Sequence, residues 1–133
     1  MAATWPHEFP AVAILVPVPL APKGARMRGF NQAEVLARYV GREVGLPVRS
    51  RALQSIRETP PQMRMGAAER QQNMRAALRA RPRAIKGRPV ILIDDVSTTG
   101  STLTACAQTL RKTGAPAVWG MTLARAGAHI RDA

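Results

Sequence analysis

A short apolar run that stops at two acidic residues constrains the fold more than any other feature of the chain. Residues 90–93 are all branched aliphatic, and Asp94 and Asp95 follow directly. A run this short, apolar on both faces, is typical of a strand buried in a parallel sheet. Small residues come next, and residues 101–113 then place apolar side chains at helical spacing. The sequence therefore predicts a strand, a tight turn and a helix in immediate succession.

The other predicted elements come from the same kinds of pattern. They are strands over residues 11–18, 47–56 and 117–124, and helices from Asn31 to about Val44 and from Ala67 to Ala80. Asn31 is a residue type that caps helices, and Gly45 is one that ends them. The alternation predicts an α/β fold with a central parallel sheet flanked by helices. The length fits one domain over residues 1–133, in which we expect residues 1–10 and 126–133 to be loose termini.

The net charge of the chain indicates an anionic partner but does not identify which one. The 133 residues carry a formal net charge of +12, which attracts nucleic acid, phosphorylated metabolites or acidic proteins. Aromatic residues make up 4% of the chain, too few to favour a base-stacking surface.

The single cysteine, Cys106, falls on the apolar side of a predicted helix, so we expect a buried core residue and no zinc site. No apolar run is long enough to span a bilayer and the start lacks a basic leader, so we expect a cytoplasmic protein without membrane insertion.

The turn after the apolar strand has the composition of a phosphate site. Backbone N–H groups at a helix N-terminus and the hydroxyls of residues 98–102 favour a phosphate, and Gly100 permits close backbone approach. Asp94 and Asp95 would repel that phosphate, so they need another part of the ligand. Ribose hydroxyls, or a magnesium ion carried by the ligand, are the natural partners of two carboxylates. The residues together indicate a phosphorylated ribose.

Two other interpretations fit the same residues. The Ser and Thr side chains could simply cap the helix by pairing its free N–H groups. Paired aspartates also form magnesium sites of the receiver-domain kind. The run Thr98-Thr99-Gly100-Ser101-Thr102 directly before the helix favours the phosphate site over both.

The run VILIDDVSTTGST at residues 90–102 resembles the phosphoribosyl-pyrophosphate (PRPP) motif of type I phosphoribosyltransferases. VPVPL at 16–20 and RGFNQAEVLA at 28–37 extend the likeness. So does the spaced set Thr59, Gln62, Arg70 and Asn73. This wider pattern, from about residue 14 to residue 125, resembles the ComF family of competence-associated proteins in that superfamily. The resemblance implies a type I phosphoribosyltransferase-like fold. Members of the family carry a cysteine-rich zinc module ahead of VPVPL, which a single cysteine cannot form.

The resemblance also implies a role for particular residues. Asp94 and Asp95 would act at the reacting centre, hold the ribose hydroxyls and reach Mg2+ only through PRPP. The 5′-phosphate would be bound by Val96, Ser97, Thr98, Thr99, Gly100, Ser101 and Thr102. The turn at residues 19–22 would bind pyrophosphate, helped by Arg26, Arg28 and Arg70. Residues 57–73 would form a loop that closes over the site.

The activity implied is magnesium-dependent transfer of a 5-phosphoribosyl group to an unknown acceptor. The alternative is a non-catalytic accessory protein in DNA uptake, binding PRPP or nucleic acid, with single-stranded DNA or a competence protein as partner. Simpler structural roles also fit some of these residues. Asn31 fits a helix cap and Phe30 a hydrophobic staple or core anchor. Arg26, Arg28 and Arg70 also fit ordinary solvated arginines.

Overall fold

The computed structural model describes residues 10–22, 26–27, 29–56, 66–95, 100–124 and 127–132, with side chains up to Thr122. The strands are β1 (Ile14–Pro17), β2 (Leu53–Ser55), β3 (Leu78–Ala80), β4 (Val90–Asp94), β5 (Val118–Ala124) and β6 (Gly127–Asp132). The helices are α1 (Gln32–Val44), α2 (Ala67–Ala76), α3 (Pro82–Ile85) and α4 (Ser101–Lys112). Within these ranges no helix is both long and apolar enough to cross a membrane.

The main sheet has the strand order β1-β4-β5-β6. β4 is the central strand of the parallel part, because β1 and β5 pair with it on either side. β6 pairs antiparallel with β5 at one edge. At the other edge Val48 makes a single parallel bridge with Leu15 of β1. β2 and β3 form a separate antiparallel pair. The fold is therefore α/β, with three parallel strands flanked by helices.

Helices cover both faces of the sheet, and each face has its own apolar core. Ile14 and Val16 of β1 face α4, α3 and the β2–β3 pair, together with Val90 and Leu92 of β4. Leu15, Ile91 and Ile93 face α1 on the opposite side. Full burial of an aliphatic side chain stabilises a fold by about 1.5–3 kcal/mol. The two-sided burial of β1 and β4 explains why both strands are apolar at every position before their ends.

The strongest sequence patterns predicted their elements correctly. Asn31 caps α1, its side chain accepting a hydrogen bond from the backbone N–H of Ala33. Gly45 ends that helix in a left-handed conformation with φ 74°. Cys106 is fully buried on α4, as expected for a core residue.

Three predictions differ from the structure. The helix expected over residues 67–80 ends at Ala76, and residues 78–80 become β3. The strand expected over residues 47–56 is reduced to the Val48 bridge and β2. The tail expected to be loose at residues 126–133 contains β6, since pairing with the edge of β5 supplies hydrogen bonds to its backbone.

Gly41 of α1 is the closest backbone contact between this helix and the edge of the sheet. A Cβ atom at this position would lie 2.8 Å from the carbonyl oxygen of Leu46 and 2.9 Å from Cγ2 of Val48. We predict that Gly41→Ala lowers the free energy of unfolding by about 1–3 kcal/mol, because the helix must move away from the sheet. Arg42→Ala, at the next and exposed position, should change it by no more than about 0.5 kcal/mol. Urea denaturation of both variants checks this, and equal effects would contradict the packing.

Candidate functional site

The chain leaves β1 and β4 in opposite directions, which creates a switch point between their carboxyl ends. From β1 the chain passes through α1 to the Val48 bridge on one side. From β4 it passes through α4 to β5 on the other side. The helices of the two connections lie on opposite faces of the sheet. Ligands of open α/β sheets bind in the crevice outside such a switch point.

Two segments border this switch point. Pro17 lies beside Ile93 in the parallel register, and the N–H of Val18 donates to the carbonyl of Ile93 at 2.8 Å. Residues 19–22 therefore start next to Asp94 and Asp95 at the same edge of the sheet. On the other side of β4, Thr122 of β5 lies opposite Asp94 and is buried. Thr122 was not singled out from the sequence, where nothing distinguishes it from an ordinary strand residue.

The two aspartates interact with each other. The backbone N–H of Asp95 donates to Oδ1 of Asp94 at 2.9 Å. Burial raises the pKa of Asp94 to about 7, and the side-chain hydrogen bond and charge of Asp95 contribute to this rise, while the backbone hydrogen bond lowers it. Burial, with a smaller contribution from the charge of Asp94, also raises the pKa of Cys106 to about 12. The site therefore holds two half-buried carboxyl groups, and the ionised form of Asp94 is disfavoured until a cation or hydroxyl donors approach.

Helix α4 begins at Ser101, a few residues beyond the carboxyl pair in the chain. Gly100 occupies the N-cap position with φ 80°, a left-handed conformation that glycine adopts without strain. The carbonyl of Gly100 accepts the first helical hydrogen bond, from the N–H of Thr104 at 2.9 Å. Glycine has no side chain with which to cap the helix, so the capping expected if the turn were purely structural does not come from this residue. Ser101 is half-buried and Thr102 is exposed.

The other predicted site residues divide into two groups. Val96, Ser97, Thr98, Thr99 and Arg28 lie outside the described residues. Arg26 is exposed beyond the turn at residues 19–22, and Arg70 is exposed on the first turns of α2. Of the loop expected over residues 57–73, residues 67–73 belong to α2 and residues 57–65 are outside the described part of the chain.

Polar contacts bring α2 to the start of α4. Nε2 of Gln71 donates to the carbonyl of Ser101 at 3.3 Å, and Nη1 of Arg75 donates to Oε1 of Gln108 at 2.8 Å. None of the residues of α2 is fully buried, and these two hydrogen bonds link it to α4. Arg70 therefore precedes a residue that touches the N-terminal turn of α4. Sequence patterns did not indicate Gln71, because a polar helix carries no apolar face from which to infer its orientation.

A cleft of about 420 Å³ extends from the switch point along β2. Its walls are Pro19, Leu20, Gly29, Phe30, Asn31, Ser50, Leu53, Gln54, Ser55 and Ile56. Phe30 is 55% exposed, so the expectation that it anchors the core is wrong. Ile56 is exposed to a similar degree. The cleft thus places two accessible apolar side chains close to the carboxyl end of β1.

Asn31 joins the switch point to α1. Besides capping the helix, its Nδ2 donates to the carbonyl of Val18 at 2.9 Å. One side chain therefore ties the segment leaving β1 to the N-terminus of α1.

The sequence is similar to known proteins over most of its length. No family model matches the chain. It is 36% identical over 122 residues to Competence protein F of Haemophilus influenzae, a match covering 89% of this chain and 53% of that protein. It is 36% identical over 104 residues to DNA utilization protein YhgH of Escherichia coli strain K12, covering 78% of this chain and 45% of that protein. The chain belongs to the ComF family. It spans about half the length of these curated relatives.

Three of the motifs through which the chain resembles the ComF family have described residues at the switch point. VPVPL contains the end of β1, and RGFNQ supplies Asn31 and the start of α1. The aspartates end β4. The structure of this ComF member therefore accounts for the first two motifs through backbone positioning around the carboxyl pair.

The raised pKa of Asp94 predicts a pH-dependent stability. Its pKa is 3.8 in the unfolded reference and about 7 in the fold, so between these values the folded state holds more protons. The free energy of unfolding therefore falls as pH rises through this window. Asp94→Asn removes this penalty. We predict that the variant exceeds wild type by roughly 1–2 kcal/mol at about pH 8, allowing for solvent screening of a half-buried group, with little difference at about pH 4.

Urea denaturation at both pH values, without PRPP or magnesium, measures this difference. Glu43→Gln on the exposed surface of α1 is the matched carboxyl-to-amide control and should show no such pH dependence. A stability difference between Asp94→Asn and wild type that is the same at both pH values would contradict the burial of an ionisable carboxyl.

The two hydrogen bonds of Asn31 predict graded losses of stability. Asn31→Ala removes the cap and leaves the carbonyl of Val18 without this donor, so we expect a loss of about 1–2 kcal/mol. Asn31→Ser retains a capping hydroxyl but does not reach as far, so its loss should be smaller. Thermal unfolding of the two variants beside Gln32→Ala provides the measurement. Equal losses for Ala and Ser would show that the cap contributes nothing.

Proposed function

We propose that the chain binds PRPP with Mg2+ at the switch point and transfers its 5-phosphoribosyl group to an acceptor, releasing pyrophosphate. The observation that carries this proposal is the half-buried Asp94–Asp95 pair at the end of β4, followed by a helix that begins at a left-handed glycine. The carboxylates attract hydroxyl groups or a metal ion, and the helix N-terminus attracts a phosphate. A phosphorylated sugar bearing a metal presents both parts at once.

The donor set suits a magnesium ion that arrives with the substrate. Among the described residues no cluster of three or more His, Cys, Asp or Glu side chains could form a complete metal cage. Mg2+ in phosphate-transferring sites is held by one or two carboxylates together with substrate phosphates and water. Burial, with a smaller contribution from the charge of Asp95, raises the pKa of Asp94, and a nearby cation would favour its ionised form. Magnesium neutralises the negative charge of the pyrophosphate group when it is bound.

The residues around the site have distinct tasks in the proposed reaction. Asp94 and Asp95 hold the ribose hydroxyls and stabilise positive charge that develops at the anomeric carbon. The acceptor forms a bond to that carbon as the bond to pyrophosphate breaks, and the bonding electrons leave with the pyrophosphate. Arg26, Arg28 and Arg70 supply positive charge for the leaving group. The 5′-phosphate is held by residues 96–102 at the start of α4, which orients the sugar.

The acceptor would occupy the cleft beside the turn that follows β1. The cleft along β2 begins at Pro19 and Leu20, and Phe30 and Ile56 present apolar surface at its walls. A planar or partly apolar acceptor fits such walls better than a small hydrophilic one. The names of the relatives, Competence protein F and DNA utilization protein YhgH, support a role of this activity in DNA uptake or use.

The second candidate is an accessory protein that binds PRPP without transferring the phosphoribosyl group. It is favoured by the same names, which describe a role in competence or DNA use and no transferase activity. Both candidates require the PRPP site, and they differ in whether pyrophosphate is released.

Calorimetric titration with PRPP in excess magnesium tests the site. We expect wild type to bind and Asp95→Asn to bind about 10- to 100-fold more weakly, because charge-assisted hydrogen bonds to the ribose are removed. Glu43→Gln removes one carboxylate far from the site and should bind as wild type does. No binding by a folded wild-type protein, or equal binding by Asp95→Asn, would refute the proposal.

Pyrophosphate release separates the two candidates. Wild-type protein incubated with PRPP, magnesium and pools of candidate acceptors should release pyrophosphate in at least one pool, and Asp95→Asn should not. Binding without release from any pool would support the non-catalytic accessory protein.

A further inference from the structure

The two polar contacts between α2 and α4 define how these helices are oriented. Gln71 contacts Ser101, the first residue of α4. Arg75, one turn further along α2, contacts Gln108 in the second half of α4. From the first contact to the second, the chain advances along both helices. The helices therefore run parallel, and the N-terminus of α2 lies at the same end as that of α4, which is the switch-point end of the sheet.

The first turn of α2 extends beyond its contact with α4. The helix begins at Ala67, so the four residues 67–70 precede Gln71. At a rise of about 1.5 Å per residue they cover about 6 Å. The contact between Gln71 and Ser101 thus places this turn, which includes Arg70, at the end of α4 where the ligand is proposed to bind.

This arrangement gathers positive charge at one end of the helix pair. Each helix N-terminus carries partial positive charge, and two parallel neighbours bring these like charges together. Arg70 adds a full charge, because it is exposed and forms no ion pair within the described part of the chain. Glu69 lies about 200° around the helix from Gln71 and so faces away from α4. An anion bound at this end would offset the repulsion.

We propose that Gln71 is a positioning residue, whose hydrogen bond to Ser101 holds α2 so that Arg70 reaches the pyrophosphate group of PRPP. The inference rests on the PRPP site proposed above and identifies the contact that orients one of its arginines. Because none of the residues of α2 is fully buried, loss of this contact should let the helix shift. The shift would move Arg70 away from the ligand, whereas the ribose and the 5′-phosphate would keep their partners on β4 and α4.

Two ligands separate the positioning of Arg70 from a general loosening of the structure. Ribose 5-phosphate has the sugar and the 5′-phosphate of PRPP and lacks its pyrophosphate. Calorimetric titration in excess magnesium measures the affinity of Gln71→Ala for each ligand. The matched control is Gln108→Ala, which removes the other contact between the two helices, further from the switch point, with no change of charge. Circular dichroism establishes that the variants are folded.

We expect Gln71→Ala to bind PRPP about 5- to 10-fold more weakly than wild type, since Arg70 loses part of a charge-assisted hydrogen bond. The same variant should bind ribose 5-phosphate as wild type does. Gln108→Ala should bind both ligands as wild type does. Arg70→Gln should show the same selective loss for PRPP, and adding Gln71→Ala to it should weaken binding no further, because both changes remove one interaction.

Equal weakening of both ligands by Gln71→Ala, or an equal effect of Gln108→Ala, would overturn the inference, because the contact would then only stabilise the helix pair. Additive losses in the double variant would overturn it as well. If wild type binds PRPP and Gln71→Ala binds it equally well, the PRPP site stands and the role of Gln71 alone is refuted. If folded wild-type protein binds neither ligand, the proposed function is refuted, and this inference with it.

Discussion

The parallel pairing of β1 with β4 is the interaction on which the rest of the structure depends. It brings together two segments that are far apart in the chain, with Ile14 beside Val90 and Pro17 beside Ile93. Because both strands are buried on both faces, the pairing fixes α1 on one side and α4 on the other. The same pairing creates the switch point, where the turn after β1 meets Asp94 and Asp95. Fold and candidate site therefore have one cause.

Charge is distributed unevenly around this frame. The carboxyl pair is half-buried at the switch point, and desolvation raises the pKa of Asp94 well above its ordinary value. By contrast, five exposed cations line one groove beside β2 and β3, namely Arg51, Arg79, Arg81, Arg83 and Lys86. The first arrangement costs stability in the ligand-free protein and suits a ligand with hydroxyls and a metal. The second places positive charge in solvent, where water stabilises it.

The sequence predicted those parts of the fold whose local pattern and tertiary environment agree. The aliphatic run before Asp94 and the cap at Asn31 are examples, since burial and capping act in the same direction as the pattern. It failed at residues 78–80, where a helix-forming composition is overridden by pairing with β2 and by packing of Leu78 against the core. Pro82 also disfavours a helical conformation at Arg81.

The positions of the two aspartates in the fold could be predicted from the sequence, whereas those of the side chains around them could not. Asp94 and Asp95 follow a strand whose end must lie at the sheet edge. Gln71 acts through a polar contact to a distant backbone carbonyl, which no local pattern indicates. Phe30 fitted a hydrophobic staple or a core anchor by sequence, and it borders an open cleft instead of lying in the core. An apolar residue type therefore predicts burial only when the elements that pack around it are known.

PRPP is a polyanion and is attracted to any basic surface of this chain. Its position in the structure therefore tests the account more directly than its affinity. The most direct measurement is a crystal structure of the protein with PRPP and magnesium, in which the position of the ligand is seen. The account predicts the ribose against Asp94 and Asp95, with the 5′-phosphate at the start of α4 near Gly100. PRPP bound only among the exposed cations Arg79, Arg81 and Lys86, with nothing at the switch point, would contradict it.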